Sequence, residues 1–205
     1  MDRLRDLFEG YKDWLEILLP LGIFLGLFLF RYAALFFKAR QLREVAPLIN
    51  GEVVLRPFFP PRIRGTYMGV PYQMSFLAES RTAPGRLQVR LDYPCPFDME
   101  VRARGRMQGI ADLLAARKGY ETGEEEFDSH VLVRIDKGKE NAEVFLNNPA
   151  NREAILAALQ DGFTSVRTSS DGITLTRNGN FLTGPFTPDQ ALHNLSMAGR
   201  FTHRF

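Results

Sequence analysis

Arg86–Ala103, RLQVRLDYPCPFDMEVRA, carries the clearest structural signal in the chain. Leu87, Val89, Leu91 and Tyr93 alternate with Arg86, Gln88, Arg90 and Asp92. After Tyr93-Pro94-Cys95-Pro96 the same period of two returns, with Phe97, Met99, Val101 and Ala103 set against Asp98, Glu100, Arg102 and Arg104. Strict alternation is the pattern of a half-buried strand, one face in a core and the other in water. The stretch therefore predicts two strands of a two-faced sheet broken by a proline-rich turn.

Working outward, Arg62–Tyr67 and Tyr72–Ala78 read as a strand pair around the tight turn Met68-Gly69-Val70-Pro71. Arg56-Pro57-Phe58-Phe59-Pro60-Pro61 reads as a stiff, extended lead-in. Four consecutive strands with short connections predict an antiparallel meander. Further on, Met107–Lys118 is a helix candidate, Gly119–Glu126 an acidic loop, Phe127–Ile135 a strand and Asn141–Leu146 a helical turn. Pro149–Asp161 carries the marks of a helix, with Asn148 as N-cap, Pro149 in the first position and Gly162 as its stop. Phe163–Thr168 and Ile173–Arg177 form a hairpin around Ser170-Asp171-Gly172. A last helix spans Pro188–Ala198, where Thr187 and Gln190 have capping-box spacing and Gly199 ends the run. Seven antiparallel strands and a closing helix predict an α+β domain of pleckstrin-homology-like architecture.

Ahead of this domain lies Leu15–Phe37, in which nothing between Ile17 and Phe30 is charged. At about 1.5 Å per residue the segment reaches roughly 34 Å, enough for a hydrocarbon core of about 30 Å. A cleaved signal peptide would need a basic head and a small-residue cleavage site, neither of which is present. A core helix would show a polar stripe. The expected organisation is a tail over 1–14, a transmembrane helix over 15–37, a juxtamembrane helix and linker over 38–50, and an α+β domain over 51–205. Lys38, Arg40 and Arg43 follow the segment, while acidic side chains outnumber basic ones before it. That bias predicts a single-pass inner-membrane protein, N-terminus outside and domain cytoplasmic.

Chemistry is sparse. His130, His193 and His203 lack metal-ligand spacing, and Cys95 has no base beside it in sequence. Neither a phosphate-binding glycine loop nor a Gly-x-Ser-x-Gly elbow occurs. Glu124-Glu125-Glu126 with Asp128 reads as a solvated acidic loop. No catalytic, cofactor or metal residue is assigned, and no enzyme activity is expected. The formal net charge of +2 argues against a general polyanion binder. Arginines do recur at strand spacing: Arg62 and Arg64, Arg86 and Arg90, then Arg102, Arg104 and Arg106. Alternation places the last three on one face and Arg86 with Arg90 on one face. Such a surface would meet lipid or a protein partner, or pair with Asp92, Asp98 and Glu100 in water. Nucleic acid is not expected, because no aromatics interleave with the arginines. Gly22 and Gly26, four apart, are candidate helix-packing positions.

Tyr120–Asp128, YETGEEEFD, followed by a Val-rich strand, resembles bacterial membrane-anchored proteins with an uncharacterised C-terminal domain. Phe145-Leu146-Asn147-Asn148-Pro149, the helix to Leu159 and Asp171-Gly172-Ile173 extend the resemblance over Ile63–Thr176. It implies a tethered domain and assigns no site residue. The reading is a non-enzymatic accessory subunit or adaptor docking on a membrane complex, its partners the bilayer and other integral membrane proteins. The alternatives are an anionic-lipid sensor and a membrane-tethered enzyme.

Overall fold

A computed structural model of the 205-residue chain describes residues 2–56, 59–77, 84–104, 119–181 and 184–202, and the side chains of all of these except 2–17, 27, 28 and 31. Alternation in Arg86–Ala103 produces β4 (Arg86–Leu91), where every second residue is buried, and β5 (Asp98–Ala103), where Met99 and Val101 are buried and Ala103 half-buried. The remaining strands are β1 (Gly51–Val54), β2 (Arg62–Tyr67), β3 (Val70–Leu77), β6 (Val131–Lys137), β7 (Phe163–Ser169) and β8 (Gly172–Asn178). All join one antiparallel sheet of order β1-β2-β3-β4-β8-β7-β5-β6.

The meander therefore runs only through β4. The C-terminal hairpin β7–β8 inserts between β4 and β5, so these sequence neighbours never pair. Two close contacts hold the arrangement. The Cys95 amide in the β4–β5 connection donates to Ser169 O at 3.0 Å. Gly172, with φ of 134°, brings the hairpin so near that a Cβ there would lie 2.1 Å from Leu91 O.

The expected pleckstrin-homology-like barrel is corrected. The sheet has eight strands rather than seven, and β1 and β6 lie at opposite ends of the strand order. The extra strand is β1, only four residues long, which precedes the proline-rich lead-in and is too short for alternation to reveal it. Phe127–His130, read as strand, belongs instead to the helix α2 (Glu125–His130). The helical turn at Asn141 extends to α3 (Lys139–Asn147). The helix candidate Met107–Lys118 lies outside the described residues.

The N-terminal helix, α1, runs unbroken from Asp2 to Val45. A 3-10 turn, Ala46–Ile49, follows, and Asn50 ends it in the left-handed conformation with φ of 53°. Among the described residues no helix is long and apolar enough to cross a membrane. This overturns the transmembrane helix over 15–37 and, with it, the single-pass inner-membrane placement. The physical reason lies in the length of the uncharged run. Ile17–Phe30 rises only about 20 Å before Arg31, against the roughly 30 Å of a hydrocarbon core. Residues 38–50, read as linker, also contribute to the core: Lys38, Ala39, Leu42, Val45, Ala46 and Ile49 are buried.

The core fills one side of the sheet. Met74, Phe76, Leu87, Val89, Leu91, Met99, Val101, Val166, Ile173 and Leu175 make its floor. Over it pack α4 (Pro149–Gln160) and α5 (Pro188–Gly199), which bring Ile155, Ala158, Ala191 and Leu195. Asn148 caps α4 by accepting from the Ala150 amide at 3.0 Å, and Thr187 with Gln190 completes the capping box of α5. Each cap satisfies amides that would otherwise lack partners and is worth about 1 kcal/mol. The opposite side of the sheet carries the polar half of the alternation.

Candidate functional site

The side chains with reactive potential are occupied by structure. In α2 the His130 Nδ1 lies 2.7 Å from Glu126 O, so it carries its proton toward that carbonyl. Ser129 Oγ donates to the same carbonyl at 2.8 Å and sits 3.0 Å from the ring nitrogen. A nitrogen that is already a donor cannot take the serine proton, so the pair is no nucleophile–base dyad. Cys95 is buried, and burial pushes its thiol up to about 11, which keeps it neutral. A neutral, enclosed thiol is a poor nucleophile.

Asp128 is consumed in its own loop. Its carboxylate accepts from the Thr122 amide and hydroxyl at 3.1 and 2.9 Å and from the Gly123 amide at 2.9 Å. Glu124 is paired with Arg152. Among the described residues no group of three or more His, Cys, Asp or Glu side chains is arranged to hold a metal ion. His193 Nε2 lies 2.8 Å from Asp161 Oδ1, whose other oxygen meets Arg177, a clip between α5, the end of α4 and β8. His203 is outside the described residues.

What remains is the open face of the sheet, where a groove of about 740 Å³ crosses β3, β4, β8, β7 and β5. Strand register assembles it in rows. One row runs Gln73, Arg90, Thr174, Arg167, Glu100. The next runs Ser75, Gln88, Thr176, Ser165, Arg102. In a third row Arg86 stands opposite Asn178. The middle strand β8 thus supplies a neutral floor of Thr174, Thr176 and Asn178. Guanidinium groups flank it, Arg86 and Arg90 on β4 and Arg167 and Arg102 across β7 and β5.

The four arginines differ in what they already hold. Arg90 reaches Asp92 at 2.9 Å and Asp171 O at 2.9 Å. Arg102 reaches Glu100 at 2.8 Å. The Arg90–Asp92 pair is substantially exposed, and such pairs contribute about 0–1 kcal/mol, whereas in the second pair Arg102 is exposed and Glu100 is largely covered. Arg167 is exposed and, among the described residues, has no hydrogen-bond or ion-pair partner. Arg86 is half-buried, and its Nε is enclosed without a partner among the described residues.

Three of the arginines singled out from the sequence therefore meet in the groove: Arg86, Arg90 and Arg102. Arg62 and Arg64 share the face on β2, where Arg64 Nε donates to Gln73 at 3.1 Å, but they do not line the groove. Arg104 lies beyond the end of β5 and is exposed, and Arg106 is outside the described residues. Arg167 went unmarked in the sequence, although Ser165, Arg167 and Ser169 alternate with Val166 and Thr168 and place it on the polar face. Gly22 and Gly26 on α1 touch nothing: a Cβ at either would meet no atom within 4 Å.

No family model matches the chain, and no curated protein matches it. Among solved structures it is similar to the crystal structure of the mycobacterial trehalose monomycolate transport factor A, TtfA. The TM-score is 0.53 at 7% sequence identity, over 81% of this chain and 93% of that one. The likeness is one of fold.

Proposed function

We propose that this chain is a non-catalytic accessory protein that docks on a partner complex through α1 and presents the sheet domain beside it. The observation that carries this reading is the exposure of α1. Leu18, Leu19, Leu21, Ile23, Phe24, Leu25, Leu29, Phe30, Tyr32, Phe36 and Phe37 are each between 53 and 74% exposed. Apolar side chains concentrated in this way mark an interaction surface. Gly22 and Gly26, open to their surroundings, leave room for a close backbone approach by a facing element. At its other end α1 is anchored: Leu42 and Val45 are in the core, so whatever grips the apolar stretch holds the domain rigidly. Support of a general kind comes from the shared fold, since TtfA is by name a transport factor.

The test is site-specific photo-crosslinking in cells at each position from 18 to 37, with Arg43 and Glu44 as controls. The expected result is adducts to one discrete partner that recur every three to four residues, the signature of one docked helix face. Adducts no stronger than at the controls would sink the proposal.

A further inference from the structure

We infer that the groove on the open sheet face is a binding site for a small, elongated, soluble molecule with an anionic group at each end of a hydroxyl-bearing body. The site is independent of the docking role given to α1. Two guanidinium groups are uncommitted among the described residues, Arg86 at one corner of the groove and Arg167 at the diagonal corner. They stand two strands apart and about four residues apart along the strand direction. Strand spacings of about 4.8 Å and rises of about 3.4 Å per residue put their Cα atoms roughly 17 Å apart. Side chains converging from that separation hold two anionic groups at the ends of one ligand. Between them lies the hydroxyl and amide floor of Thr174, Thr176 and Asn178, which offers both donors and acceptors.

Charge complementarity selects the occupant. Arg90 and Arg102 are answered by Asp92 and Glu100, and Asp98 by Lys137. Asp171, at the turn end, supplies a single further carboxylate against the two free guanidiniums. The Nε of Arg86 is enclosed without a partner among the described residues, and a desolvated cation of this kind is stabilised by an anion brought close to it. The lining is polar throughout save Pro84 and Ala103, which disfavours an acyl chain or the apolar centre of a protein interface. A flat bilayer surface would leave the recess unfilled.

Calorimetric titration of the full chain tests the assignment, with fructose 1,6-bisphosphate as the elongated hydroxylated molecule carrying a phosphate at each end. Inorganic phosphate and phosphatidylglycerol vesicles are the other two arms. The expected result is saturable binding of the bisphosphate at least tenfold tighter than inorganic phosphate, weakened at least tenfold in Arg86→Gln and in Arg167→Gln. Arg134→Gln should leave it unchanged, because Arg134 lies on the edge strand β6 and is bound to Asp136. If Arg86→Gln unfolds, the exposed Arg167 decides alone. Absent or non-saturable bisphosphate binding would overturn the inference. So would equal weakening by Arg134→Gln, or binding of vesicles in place of the soluble probe.

Discussion

Lys38 is the residue whose environment departs furthest from its chemistry. It is buried near the C-terminal end of α1, with Nζ 3.0 Å from both Gln41 Oε1 and Gly184 O. The same nitrogen lies 5.2 and 5.5 Å from the ring centres of Phe76 and Phe186. No carboxylate answers the charge among these contacts, and burial lowers its pKa from 10.5 to about 8. Between those values the unfolded chain binds more protons than the folded one, so stability rises with pH from about 8 toward 10.5. Tyr72 works the other way. Its hydroxyl donates to Ile49 O and is pushed up to about 12, so its contribution is lost above pH 10. Thermal unfolding of Lys38→Met beside the parent chain, from pH 7 to 10, isolates the lysine. The parent should gain stability relative to the variant as pH climbs through 8 to 10, and a pH-independent difference would refute this account.

At the scale of elements, local chemistry was legible and partnership was not. The caps at Asn148 and Thr187 and the turn at Met68-Gly69 fall where residue type and spacing put them, since each depends on neighbours within four positions. Alternation likewise identified β4 and β5 and put Arg86, Arg90 and Arg102 on their polar sides. It carried no information about which strand lies beside which. The groove exists only because β7–β8 enters between β4 and β5, setting Arg167 across from Arg90, and no local pattern encodes that. Length misled the reading of α1: a long apolar span was counted across Arg31, and the helical turns from Lys38 onward were read as a juxtamembrane helix and linker rather than as part of the core. Gly172 shows how tightly the insertion fits. Gly172→Ala would place a methyl against Leu91 O in a backbone conformation that side chains rarely adopt. A loss of about 2 kcal/mol or more is expected in urea unfolding, since strain and overpacking add. A change under about 0.5 kcal/mol would mean that the β4–β5 connection yields easily.

For the molecule as a whole, the two sides of the sheet divide the labour. The apolar side is sealed by α4 and α5 and supplies cohesion, whereas the polar side is left open across five strands. The insertion of β7–β8 also makes the segment Phe163–Asn178 indispensable. Residues 1–160 contain six strands, yet β4 and β5 would each lack the neighbour that β8 or β7 provides. Unpaired edges of that kind associate with one another. A fragment ending at Gln160 is therefore expected in the pellet after sedimentation, and a monomeric, cooperatively unfolding fragment would contradict the topology. The same geometry bears on synthesis at the ribosome. A nascent chain emerges with its first six strands divided into two unjoined ladders, and it must wait for the β7–β8 hairpin to bridge them. Folding of this sheet is thus held back until β8 has left the ribosome, and a chaperone that shields strand edges would act during that interval.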